Sequence, residues 1–291
     1  MSAAVGTPAS AVPQRTRTGH RPGVGTVFRW EIRKLAALKR TYLGLAAVVA
    51  VPLIFVGALA TQPGGPEGVP LGNVVRDSAL AIPLVLLLFG SIWLFPLAAA
   101  LVAGDIFAAE DGNGTLKTIL TRSVGRAQVF WGKLLAAALY AVLALVAMAV
   151  TALAVGYPLS GFNPLPSLSG TEISTGRGFV LVGASLLVYL MPLLAITAVG
   201  LLLSITTRNS AAAVVGTLIA SIMLQLIGIL PGTDPIRPYL LTTQFQGWLG
   251  LVREPADWEP IVRAAWVSAA HAVPAVAAAL WVFMRRDVAG G

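Results

Sequence analysis

Six long apolar runs constrain the fold of this chain more than any other feature. They cover roughly 42–61, 80–103, 134–156, 179–204, 211–230 and 264–284, and a membrane-spanning helix needs about 20 mostly apolar residues. Only 11% of the residues are charged, whereas a soluble domain is about one quarter charged. A soluble fold of this length could not bury so much apolar surface. The sequence therefore predicts an all-α integral membrane protein with six transmembrane helices.

The distribution of Lys and Arg predicts the orientation of these spans. If both termini are cytoplasmic, most of the 20 basic residues fall on inner segments, as the positive-inside rule requires. The exceptions on the outer side are Arg76, Arg177, Arg237, Arg253 and Arg263. The net charge of +8 is thus concentrated in short segments between apolar runs. This pattern indicates a multi-pass protein of the cell membrane with membrane lipid, and no nucleic acid, as its surroundings.

Two segments precede the first span. Residues 1–23 are rich in Ser, Thr, Pro, Gly, Ala and Arg, which predicts a disordered cytoplasmic tail. Residues 24–41 repeat apolar side chains at helical spacing with arginines opposite, which predicts an amphipathic helix lying in the inner headgroup layer. A simple extension of the first span into the cytoplasm is the alternative. The candidate membrane-interface residues are Phe28, Arg29, Trp30, Arg33, Leu35 and Arg40.

The predicted cytoplasmic loop at about 104–133 is too apolar for a plain solvated loop. Asn113-Gly114 is a turn signal, and Thr115 after it predicts a short helix that ends near Thr121. A short helix with apolar residues on the inner side indicates an element that docks against something. The purely structural alternative is that Glu110 and Arg126 pair with each other or with lipid headgroups.

This loop carries a resemblance to a known family. Glu110, then Gly114-Thr115-Leu116-Lys117, Leu120, Arg122, Val124 and Arg126, then Gly132-Lys133, resemble the permease subunits of type 2, export-type ATP-binding cassette (ABC) transporters. The resemblance covers essentially the whole chain and departs at Ser123, where many members have proline.

The resemblance implies that the loop forms a coupling helix which contacts a separate ATPase subunit. It also implies two copies of that ATPase and a second permease, identical or homologous. The implied ATPase-contact residues are Phe107, Glu110, Gly114, Thr115, Leu116, Lys117, Leu120, Arg122 and Arg126.

The chain lacks the residues that several other functions would require. No G-x-x-x-x-G-K-[ST] sequence is present, so ATP and Mg²⁺ are expected on the partner ATPase and no cofactor is expected in this chain. The chain has no cysteine and two distant histidines, His20 and His271, which argues against a metal site and against catalysis. The centres of the six spans lack Asp, Glu, Lys and Arg. A secondary carrier or channel that works without ATP stays open as the alternative, although ion-coupled carriers usually bury such charges at mid-membrane.

The outer segments differ from each other in composition. Residues 157–178 are rich in Gly, Pro and Ser and predict a flexible loop. Residues 231–263 are aromatic and interrupted by prolines, which predicts one or two short helices dipping into the outer leaflet. The resemblance implies re-entrant helices at this place, above the exit of the translocation path, with Tyr239, Phe245 and Trp248 as candidate outer gate residues. Interfacial packing alone is the alternative.

Overall fold

The computed structural model of the protein describes residues 22–62, 64–121 and 124–285. The tail predicted for residues 1–23 lies outside the described residues except for its last two positions. Arg122, the side chains of Lys117 and Leu120, and the end of the predicted permease domain at 286–288 also lie outside them.

Among the described residues, five helices are long and apolar enough to cross a membrane. They are α2 (Lys39–Thr61), α7 (Arg126–Ser160), α8 (Thr175–Thr207), α9 (Ser210–Ile229) and α10 (Glu259–Arg285). A sixth crossing exists if α3 (Ala81–Gly90) forms one span with the helical stretch Leu94–Gly112, which begins with α4 (Leu94–Ala103) and is bent from α3 by 65°. The predicted class of all-α integral membrane protein is confirmed, and the number of spans is five or six.

The second predicted span, 80–103, is the one that the structure breaks. Trp93 leaves helical geometry with φ −149° and ψ −29°. At the bend, Phe95 packs so closely on Gly90 that a Cβ atom added to this glycine would lie 2.7 Å from the ring. Hydropathy could not indicate the break, because the residues on both sides of it are apolar.

The predicted amphipathic helix is present as α1 (Val24–Ala37). It ends earlier than predicted because the backbone of Leu38 is extended, with φ −91° and ψ 124°, before α2 begins at Lys39. A continuous extension of the first span is therefore wrong. The helix packs closely along α7, where a Cβ added to Gly132 would lie 2.7 Å from Cγ1 of Val27.

Two short helices follow α4 on the same side of the molecule as α1. They are α5 (Ala108–Gly112) and α6 (Thr115–Thr121), and they form a helical hairpin. The predicted short helix after Asn113-Gly114 is thus confirmed. The predicted loop at 104–133 is shorter than expected, because α7 already begins at Arg126. We call this side the inner end, since it is the one predicted to be cytoplasmic.

The opposite, outer end is more ordered than its composition predicts. Strands β1 (Leu165–Pro166) and β2 (Glu172–Ile173) form an antiparallel hairpin in the segment predicted as a flexible loop. Two 3-10 helices, Arg237–Tyr239 and Thr242–Val252, occupy the segment predicted to form short helices.

The longer 3-10 helix packs between α8 and α10 and fills the outer core. Trp248 is fully buried, and Phe245, 1% exposed, lies 4.7 Å from the ring of Tyr189. Tyr239 is instead 56% exposed and lies 5.8 Å from Trp266. Of the three candidate outer gate residues, Phe245 and Trp248 are thus core residues and Tyr239 is a surface residue.

Candidate functional site

Four charged side chains join three helices at the inner end. Lys133 of α7 places its Nζ 2.9 Å from Oε1 of Glu31 on α1 and 2.8 Å from Oε2 of Glu110 on α5. Lys34 of α1 places its Nζ 2.8 Å from Oε2 of Glu31 and also pairs with Oε1 of Glu110. Each acid therefore lies between two lysines, and each lysine between two acids. We call this closed set of Glu31, Lys34, Glu110 and Lys133 the charge ring.

Lys133 is the most buried member of the charge ring. Its side chain is fully buried, and its Nζ also donates to the carbonyl oxygen of Ile106 at 3.0 Å. A lysine ammonium has three N–H donors, so Glu31, Glu110 and Ile106 can take all of them. Buried charges are tolerated only when they are paired and hydrogen-bonded. Separating α1, α5 and α7 would leave these charges unpaired, so the ring holds the three helices together.

Lys34 closes the ring on its more exposed side. Its partial burial opposes the charged form, but the carboxylates of Glu110 and Glu31 outweigh that effect and raise the pKa of Lys34 above its usual range. This lysine is therefore positively charged at any physiological pH. The ring as a whole is neutral, with two acids and two bases.

Further polar contacts fix the start of α5 to the spans. Arg40 of α2 pairs with the carboxylate of Asp105, which also accepts a hydrogen bond from the hydroxyl of Ser210 on α9. The hydroxyl oxygen of Ser204 on α8 accepts from the backbone amides of Phe107 and Ala108, at 3.2 and 3.0 Å. These amides precede or open α5 and have no partner within the helix. The base of the hairpin is thus anchored to α2, α8 and α9 as well as to the ring.

The tip of the α5–α6 hairpin is exposed. Gly114 has φ +68°, the left-handed region that favours glycine, and the turn begins at Asn113. The hydroxyl of Thr115 donates to the carbonyl oxygen of Glu110 at 3.2 Å and so closes the turn against the end of α5. All residues from Gly112 to Thr115 are exposed. The hairpin therefore combines a fixed base with a free tip.

The predicted ATPase-contact residues separate into two groups. Phe107, Glu110 and Leu116 are 0%, 7% and 2% exposed, so their side chains pack mainly within the chain, although all three were predicted to contact the ATPase. Gly114 and Thr115 lie at the exposed tip. Arg126 donates to the carbonyl oxygen of Met284 at 2.9 Å, while Glu110 pairs with two lysines. The alternative in which Glu110 pairs with Arg126 is therefore wrong.

The predicted membrane-interface residues also separate. Arg29, Trp30 and Arg33 are exposed, as expected for that role, and Phe28 is half-buried. Leu35 is only 7% exposed and faces the protein core, and Arg40 pairs with Asp105. Both side chains thus make contacts within the chain, whereas the sequence assigned them to the membrane interface.

Sequence reasoning missed Glu31 as a site residue. Val27, Glu31 and Leu35 are spaced by four, so they share one face of α1, and all three are buried. An acid within an apolar helical face was the available signal. Its partner Lys133 lies 102 residues away in sequence, so no local pattern could identify the pair.

Comparison with known proteins gives two similarities. A model of the family described as ABC-2 family transporter protein matches residues 27–224, a stretch that begins within α1 and contains the whole charge ring. The probable ABC transporter permease protein NosY of Stutzerimonas stutzeri is 33% identical over 118 residues. That match covers 40% of this chain and 39% of the relative, so the chain spans about two fifths of the relative's length. Because the family model covers more than half of the chain, the protein belongs to the ABC-2 family of membrane transporter proteins.

Proposed function

We propose that this permease works as the membrane-spanning subunit of an ABC exporter and is driven by a separate ATPase. ATP and Mg²⁺ would bind to that partner, in two copies, and a second permease, identical or homologous, would complete the translocation path. The observation that carries the proposal is the α5–α6 hairpin, whose exposed tip at Gly112–Thr115 stands on a base fixed by the charge ring. The family match and the permease relative support it.

The contacts of the hairpin allow it to transmit a force to α1 and α7. A force applied to the tip reaches Glu110 within α5, and Glu110 is paired with Lys34 of α1 and Lys133 of α7. Because α7 continues from Arg126 to Ser160 as one helix, a displacement of its inner end would be carried toward the outer end. Closure of two ATPases on ATP would supply the force in this scheme, with both termini of the permease on the ATPase side.

The absence of cysteine from the sequence makes a clean test possible. An Asn113→Cys variant carries a single thiol at the exposed tip, and a thiol-linked photo-crosslinker can be placed there in membranes of the native host. Glu67→Cys is the matched control, because Glu67 is also exposed but follows the outer end of α2. We expect a P-loop ATPase to be cross-linked through Asn113→Cys and not through Glu67→Cys, identified by mass spectrometry.

A second measurement completes the test. The permease and the captured ATPase, reconstituted in liposomes, are expected to accumulate substrate only with ATP and with both proteins present. Failure to capture an ATPase at Asn113→Cys would contradict the proposal. Transport by this chain alone without ATP would contradict the proposal as well and would support the alternative of a secondary carrier or channel.

A further inference from the structure

A cleft lies beside the hairpin, between it and α1. It has a volume of about 310 Å³ and opens next to the exposed tip. Its wall is formed by side chains of α1, the α1–α2 junction, the segment before α5, and the hairpin. The charged side chains in this wall are Lys34, Arg40, Asp105 and Glu110.

The charges of the cleft are arranged by depth. The side chains of Lys34 and Arg40 are 37% and 38% exposed, whereas those of Glu110 and Asp105 are 10% and 7% exposed. The acids thus lie beneath the bases that they pair with. The positive half of each ion pair is thus its more exposed half.

These bases keep unused hydrogen-bond donors. A guanidinium has five N–H donors and an ammonium three. Among the described residues, the Arg40 side chain has a polar contact only with Asp105, and the Lys34 side chain only with Glu31 and Glu110. The cleft therefore offers free donors on positive groups, and its natural ligand is an oxyanion.

The remaining wall is mostly apolar. Leu35, Leu38 and Ile119 line it together with the exposed Asn113. The hairpin that bounds the cleft is the element proposed to contact the ATPase, so the cleft is continuous with that surface. A protein segment that carries a carboxylate beside apolar side chains matches both parts of this wall.

We propose that the cleft receives an acidic, partly apolar segment of the partner ATPase, whose carboxylate pairs with Arg40 and Lys34. This inference rests on the proposed function, because the ATPase is the occupant. In this arrangement the permease also receives a segment of its partner in the cleft next to the hairpin, and that segment is acidic.

A series of charge substitutions at one exposed position tests the sign of the charge on the partner's contact segment. Asn113 is exposed and lines the cleft, so Asn113→Lys and Asn113→Asp change the charge at its rim without touching the core. The affinity of the purified ATPase for the permease is measured in nanodiscs of zwitterionic lipid. We expect Asn113→Lys to bind about threefold tighter and Asn113→Asp about threefold weaker than the wild type, with the differences decreasing at high salt.

Matched variants distinguish an effect of charge in the cleft from an effect of the overall charge of this face on ATPase affinity. Ala37 at the end of α1 is exposed, lies outside the hairpin tip and does not line the cleft. Ala37→Lys and Ala37→Asp are expected to differ in affinity by less than twofold. Likewise, Arg40→Gln is expected to weaken binding about tenfold, and Lys39→Gln, at an exposed neighbour outside the cleft, less than twofold.

The possible outcomes are distinguishable. A reversed order in the Asn113 series, or equal effects at Asn113 and Ala37, would overturn the acidic segment while leaving the proposed function intact. Loss of ATPase affinity when phosphatidylglycerol is added to the nanodiscs, abolished by Arg40→Gln, would show that a lipid headgroup fills the cleft and would overturn it as well. A permease that binds no ATPase at all would overturn both proposals.

Discussion

The inner and outer ends of this permease are held together by opposite means. At the inner end, the charge ring buries Lys133 completely between α1, α5 and α7. At the outer end, the core is aromatic, and the ion pairs lie on its surface. Arg177 pairs with Glu254 at 2.8 Å, but its side chain is 69% exposed. The same kind of bond is thus structural at one end and peripheral at the other.

The difference in burial decides how much each ion pair contributes to stability. Removing one partner of a buried pair leaves an uncompensated charge, which is strongly destabilising, whereas an exposed pair is screened by water and salt. The inner end therefore depends on the exact set of its charges. The outer end depends on how well its aromatic side chains fill space.

The largest effect is expected from Lys133→Met. This change removes the buried one of the two bases that Glu31 and Glu110 share and leaves Lys34 as their single remaining base in the ring, and we expect it to cost about 3–5 kcal/mol of stability. The free energy of unfolding in detergent micelles measures it. In the double variant with Glu31→Met as well, Lys34 and Glu110 remain as a neutral pair, and most of the loss should be recovered. A single variant as stable as the wild type would contradict the comparison between the two ends.

An intermediate effect is expected from Gly132→Ala. The added methyl group would lie 2.7 Å from Val27 and 3.1 Å from the backbone nitrogen of Phe28, so it would push α1 away from α7. Overpacking of this kind costs about 1–3 kcal/mol. Thermal unfolding would measure the loss, and proteolysis within α1 should become faster. Gly183→Ala, at a helical glycine with open space around it, is the matched control and should unfold like the wild type.

The smallest effect is expected from Arg177→Gln at the outer end. This variant removes the exposed pair with Glu254, whose hydroxyl partner Thr171 remains. We expect a loss of less than about 1 kcal/mol that shrinks further at high salt. A loss as large as that of Lys133→Met would show that burial does not separate the two ends.

The sequence predicts the spans well and their internal geometry poorly. Apolar runs in the sequence predict helices α2, α7, α8, α9 and α10, because hydropathy depends only on the residues within each run. The bend between α3 and α4 depends instead on the contact of Phe95 with Gly90, which no hydropathy pattern contains. The hairpin β1–β2 is likewise held from a distance, since the amide of Leu168 donates to the carbonyl oxygen of Val252 at 3.0 Å.

The same limit applies to the candidate site. The turn at Asn113-Gly114 and the short helix after it are local signals and were predictable. The inward orientation of Glu110 was not, because Lys34 and Lys133, which pair with it, lie 76 residues before it and in the next long helix. A motif can thus locate the hairpin without showing which of its side chains are exposed.

The most direct test of the central claim is a distance between the two ends of the molecule. Spin labels are attached to Asn113→Cys at the hairpin tip and Glu67→Cys at the outer end, in a chain that has no other cysteine. Pulsed electron paramagnetic resonance then compares the complex with its ATPase in the nucleotide-free and ATP-trapped states. If ATP binding drives the permease through the hairpin, the distance between the labels changes between the two states. The same distance in both states would contradict it.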